Sequence, residues 1–95
     1  MTSYNVLLGE DALQYIEYLD QKSERILKEN LGYLIENPYP GRGQGDKEQV
    51  TVDDEEIYRM HIGRTHTAFY VVEEEVGEVR VFDIMTIDEA HKRYD

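Results

Sequence analysis

One break in the chain constrains the fold more than any other feature: the apolar pattern is helical before Pro38 and strand-like from Ile57 onward. Proline disfavours helical geometry in the residue before it, so a helix must stop by Asn37, and Pro40-Gly41 adds a turn. The stretch Gly41 to Asp46, GRGQGD, reads as a flexible connection.

Before the break, Ser3 to Leu8 is apolar and β-rich enough for a strand, which Gly9 ends. From Glu10 to Glu36 the spacing turns helical, with Ala12, Leu13, Ile16 and Leu19 in one stripe and Ile26, Leu27, Leu31, Leu34 and Ile35 in another. The stripes fall out of phase across Asp20-Gln21-Lys22-Ser23, and Asp20 and Ser23 are good capping residues. Two antiparallel helices are therefore expected.

After the break, Ile57 to Ile62 alternates Tyr58, Met60 and Ile62 with Arg59 and His61, which puts the two cationic side chains on one face of a strand. Gly63-Arg64-Thr65 turns the chain into a second strand, His66 to Val72. A bend at Gly77 leads into a third, Val79 to Met85, and Lys47 to Val52 is available as a fourth. Thr86-Ile87-Asp88-Glu89 has the spacing of a capping box and opens a short helix. The order β-α-α-β-β-β-β-α predicts an α+β fold: a helical hairpin on one face of a mostly antiparallel sheet, with a short C-terminal helix.

At 95 residues, a chain buries about 60–70% of its unfolded surface, so one domain spanning residues 1–95 is expected. There is no cysteine, which removes disulfides and thiolate chemistry and fits a reducing compartment. No basic region precedes a long apolar run, and no apolar stretch approaches the ~18 residues of a membrane span, so a soluble cytoplasmic protein with no membrane contact is expected. With 40% hydrophobic residues the chain is too apolar for a disordered acidic tail.

The formal charge of −11 argues at first against a phosphate-bearing target. Its distribution changes that reading. Tyr58 to Val72 holds Arg59 and Arg64 and no acid, and Ala90 to Asp95 holds Lys92 and Arg93 against Asp95 alone. All three histidines, His61, His66 and His91, fall in these two segments. A half-buried hairpin would also be poor in acids, so packing is the competing explanation.

The element order, the ENPYPG break, the hairpin IYRMHIGRTHTAFYVV and the terminal IDEAHKRY together resemble the RelE/ParE superfamily of bacterial and archaeal toxin-antitoxin toxins. The resemblance implies a growth-inhibiting toxin with a concave cationic groove on the sheet face opposite the helices, inactivated by a cognate antitoxin. RelE-like members cleave messenger RNA in the ribosomal decoding site, whereas ParE-like members act on DNA gyrase. The RelE-like reading implies the ribosome and mRNA as partners, with a homodimer open as the antitoxin-free form. Carried over position by position, it puts catalytic roles on Arg59, His61, His66 and Tyr94, and RNA contacts on Arg64, His91, Lys92 and Arg93. The chain departs from the pattern at two places. Ile57 and Arg59 stand where active enzymes show two lysines, and Asp88 falls near the C-terminal arginine position. These departures favour the alternative, a ParE-like or nuclease-deficient protein that binds without cleaving.

Attack of a ribose 2′-hydroxyl on the adjacent phosphate needs a base, an acid for the departing 5′-oxygen, and positive charge near the phosphate. Imidazole can serve as either proton carrier near neutral pH, and arginine grips phosphate oxygens in pairs. His61 and His66 are thus expected to flank a phosphate held by Arg59 and Arg64, with Tyr94 stacking on a base or relaying a proton. The competing readings are solvated strand histidines, an Arg59 ion pair within Asp53 to Glu56, and a tail tyrosine on the sheet edge. No metal or cofactor is expected: no histidine pair has i, i+4 spacing, and GRGQGD lacks the Lys-Ser/Thr ending of a phosphate loop.

Overall fold

A computed structural model describes residues 3–41 and 43–94, with side chains to Arg93. Strand β1 (Asn5–Leu8) leads into helices α1 (Glu10–Glu17) and α2 (Gln21–Glu36). Strands β2 (Asp46–Val52), β3 (Glu55–Ile62), β4 (His66–Glu73) and β5 (Glu78–Thr86) follow, then helix α3 (Ile87–Tyr94). One five-stranded sheet has the order β1-β5-β4-β3-β2, antiparallel except where β1 runs parallel to β5. The sequence-derived order holds throughout, and Lys47 to Val52 does pair with β3.

The helical hairpin divides where the stripes lose phase. Asp20 caps α2, its carboxylate accepting the Ser23 amide proton at 3.0 Å. Hydrogen bonding from the Ser23 side chain first, and from its amide next, holds the Asp20 carboxyl below its ordinary pKa. The hairpin buries Ala12, Ile16, Leu27, Leu31 and Leu34 against Met60, Ile62, Ala68, Tyr70, Val79, Val81 and Ile84 of the sheet. Each fully buried leucine contributes about 1.5–3 kcal/mol of transfer free energy, so this layer dominates stability. At the C-terminus of α2, the buried Lys47 donates to the Asn37 carbonyl at 2.7 Å, satisfying an oxygen the helix leaves open. Burial lowers the Lys47 pKa.

The opposite face carries a second, smaller cluster of Ile57, Phe69, Met85 and Ala90, fringed by Val50, Val52 and Val71. Ala90 belongs to α3, which therefore lies on this face. The Thr86 hydroxyl accepts the Glu89 amide proton at 3.2 Å, as the capping-box spacing requires. The Ile87 amide donates to the Thr65 carbonyl at 2.8 Å, tying the start of α3 to the β3–β4 turn.

A bulge in β5 sets which residues α3 covers. Phe69 pairs with Asp83 but Tyr70 pairs with Val81, so Phe82 is the extra residue. Val81 and Ile84 consequently share the hairpin face, while Asp83 and Met85 turn toward α3. Strict alternation would have set Asp83 beside Val81 under the hairpin, where an unpaired carboxylate costs several kcal/mol or takes up a proton.

Candidate functional site

The two acid-poor segments, eighteen positions apart at their nearest ends, lie on one sheet face. Strand β3 projects Ile57, Arg59 and His61 to that side, and α3 crosses it with His91, Lys92 and Arg93 exposed along its last turn. Arg59 and His61 are two residues apart on one strand, so their Cα atoms sit about 7 Å from each other. This spacing suits two groups that contact neighbouring parts of one nucleotide.

Arg59 lies opposite Glu48 in the β2–β3 register and donates to its carboxylate at 3.1 and 3.2 Å. Among the described residues the carboxylate partner of Arg59 is on β2 rather than within Asp53 to Glu56. With 15% of its side chain exposed against 53% for Glu48, the guanidinium is held mostly within the sheet face. His61 pairs with Thr67 across β3–β4, and its Nδ1 lies 3.2 Å from the threonine hydroxyl, a contact that orients the ring. Arg93 reaches back from α3 to Asp83 at 3.5 Å. The Asp83 carboxyl is raised in pKa, first by burial, while the Arg93 charge pulls the other way. Arg64 sits exposed in the β3–β4 turn, beside the anchored start of α3. Tyr94 ends α3, and its side chain lies outside the described residues.

His66 is elsewhere. The expectation that it flanks a phosphate with His61 is not met by the geometry, because the two rings leave the hairpin on opposite faces. His61 pairs with Thr67 and Ile62 with His66, so His66 shares the side of Ile62 and Ala68 beneath the helices. There it is 8% exposed, with Nδ1 2.7 Å from the Tyr15 hydroxyl and its ring edge-on to Tyr15 at 5.6 Å. Burial depresses the His66 pKa, with Asp20 opposing weakly, and burial raises that of Tyr15. Buried and hydrogen-bonded to Tyr15, His66 is a packing element.

Sequence reasoning missed Thr67, Glu48 and Asp83 at this site. Parity would have found Thr67, since a turn joining Ile62 to His66 sets residue 61 against 67. Nothing local marks Glu48 or Asp83. Among the described residues no three His, Asp or Glu side chains converge as a metal site, and no helix is long and apolar enough to cross a membrane.

A helical hairpin on one face of this five-stranded sheet, with a short C-terminal helix on the other, is the fold of solved RelE toxins. The archaeal RelE of the RelE–RelB complex from Pyrococcus horikoshii OT3 superposes with a TM-score of 0.74 over 90% of this chain and 96% of that one, at 16% identity. A double arginine-to-alanine mutant of E. coli RelE in the free state gives 0.63 over 98% and 95%, at 19% identity. The same mutant in complex with a RelB peptide gives 0.61 over 96% and 93%, at 20% identity. No protein-family model and no curated protein sequence matches the chain.

Proposed function

We propose that this chain is the toxin of a type II toxin-antitoxin pair, working in the cytoplasm as a RelE-like endonuclease that cuts messenger RNA on the ribosome. The observation that supports this is the meeting of Arg59 and His61 with the basic last turn of α3 on one face of a RelE fold. In this reading Arg59 binds the scissile phosphate and offsets the charge that builds on it. His61 takes the proton of the attacking 2′-hydroxyl. Either His91 or Tyr94 on α3 returns a proton to the departing 5′-oxygen, leaving a cyclic phosphate on the upstream fragment. Lys92, Arg93 and Arg64 hold the flanking backbone. The RelE structures with this fold include complexes with RelB, and a cognate antitoxin is proposed here as well.

A second reading is favoured by one specific observation. Arg59 and Arg93 are ion-paired with the chain's own Glu48 and Asp83, so part of the cationic patch is neutralised before any RNA arrives. A protein that only binds its partner, or a ParE-like inhibitor of gyrase, would tolerate this better than a nuclease.

Expression with and without the antitoxin, with cleavage mapping on translated messages, separates the readings. Codon-phased cuts that disappear in His61→Ala support the nuclease. Growth arrest with intact messages and relaxed plasmids supports the gyrase reading, and the absence of any arrest rejects both.

A further inference from the structure

A cavity of about 490 Å³ lies between the segment after α2 and the adjoining strands β3 and β4, lined by Tyr39, Tyr58, Val71, Val72, Glu55, Glu56 and Glu73. It is separate from the Arg59–His61 site, since neither of those residues nor any residue of α3 lines it. The rings of Tyr39 and Tyr58 stand nearly perpendicular, at 76° and 5.7 Å between centroids, and form two walls.

Both walls are fixed from behind. Tyr58 stacks on Tyr70 at 5.5 Å, and the buried Tyr70 hydroxyl donates to the Pro38 carbonyl at 2.6 Å. The Tyr39 amide donates to Asn37 Oδ1 at 2.9 Å, and its hydroxyl donates to the Glu74 carboxylate, which also accepts from Tyr4 at 2.9 and 3.1 Å. The rim is anionic. No ion pair joins Glu55, Glu56 or Glu73 to a basic side chain among the described residues, and no basic residue lines the cavity.

We infer that this cavity receives the lysine or arginine side chains of a basic segment carried by a partner protein. Aromatic faces attract a cation through their quadrupole, most strongly where water is partly excluded. Carboxylates at the rim take the charged head, and Val71 and Val72 take the methylene stem, as long cationic side chains require. Because the rings are already immobilised, little ordering is left to oppose binding. A divalent ion suits the cavity poorly, since its carboxylates do not converge as a ligand set among the described residues. A nucleic acid would meet repulsion from the same rim. The inference stands apart from the nuclease reading: it concerns a different surface and would hold for a chain that cuts nothing.

The probe is a capped hexalysine peptide, with capped hexaglutamine as neutral control, titrated calorimetrically into the full chain at about 0.15 M salt. Hexalysine binds and hexaglutamine does not. The triple variant Glu55→Gln, Glu56→Gln, Glu73→Gln weakens binding at least about tenfold. The same charge removed from exposed helix positions, Glu17→Gln, Glu29→Gln, Glu36→Gln, weakens it less than about twofold. Tyr39→Leu, which keeps every charge, weakens it about fivefold, and Tyr39→Phe restores it, as the size of a cation–π contact predicts. Equal loss in the two triple variants, wild-type binding by Tyr39→Leu, or binding of hexaglutamine would overturn the assignment. Should Tyr39→Leu unfold, the ring resonances of Tyr39 and Tyr58 in the wild-type protein decide the point: they shift as hexalysine is added, or the cavity is not the site.

Discussion

The Tyr15 hydroxyl and His66 Nδ1 lie 2.7 Å apart beneath the helical hairpin, which makes His66 part of the core's polar seam and leaves His61 as the one β3–β4 histidine on the candidate RNA face.

The Tyr15–His66 pair sets a pH dependence of stability. Burial depresses the folded-state pKa of His66 below its unfolded value of about 6.5, so the unfolded chain binds the proton more readily. The contribution of neutral His66 is therefore fully present above about pH 6.5 and is lost as pH falls through that value toward the depressed one. Urea midpoints measured from pH 7.5 down to 5.5 fall more steeply for the wild type than for His66→Gln. Tyr15→Phe, which leaves the imidazole nitrogen without its partner, destabilises by about 1–3 kcal/mol at pH 7.5.

The opposite placement of the two histidines separates their effects on cleavage. In a ribosome-programmed cleavage assay, His61→Ala lowers the rate by about 10²- to 10⁴-fold, the range of general acid-base assistance. His66→Gln, assayed where the variant remains folded, keeps the rate within about threefold. Equal losses in the two folded variants would contradict the strand parity on which the site rests.

Glu48 and Asp83 hold Arg59 and Arg93 in ion pairs, and under the proposed nuclease reading a phosphate competes with them. An exposed or half-exposed pair is worth up to about 1 kcal/mol, so Glu48→Gln and Asp83→Asn each tighten RNA binding by up to about fivefold. The dependence of affinity on salt should steepen in both variants, because released arginines displace more counterions. Filter binding between 50 and 200 mM salt reads both quantities.

Thr86 anchors α3 through its bond to the Glu89 amide. Thr86→Ala costs about 0.5–2 kcal/mol, and because Ala90 is the one buried side chain among those described in α3, the loss is expressed locally. Amide exchange in α3 quickens while exchange at Leu27 and Leu31 in α2 is unchanged.

The chain's own sequence determined the order and type of its elements, because those depend on neighbours a few residues away. Asp20 and Ser23 mark the break between α1 and α2, Pro38 ends α2, and Thr86 with Glu89 opens α3. Alternation along β3 was enough to set Arg59 and His61 on one face. Segment-wise charge singled out the two stretches that meet there, though not that they meet.

Tertiary structure decided the rest. The register of the β3–β4 hairpin sends His66 under the helices, and the bulge at Phe82 turns Asp83 toward α3. The β2–β3 register brings Glu48 to Arg59 from eleven positions away. Each depends on which residue of a distant strand lies opposite, and a shift of one residue exchanges the faces of every side chain involved. Local pattern carries no record of that choice; it is made when burying apolar surface on one side of the sheet leaves a single register in which His66 finds Tyr15 and Asp83 escapes the core.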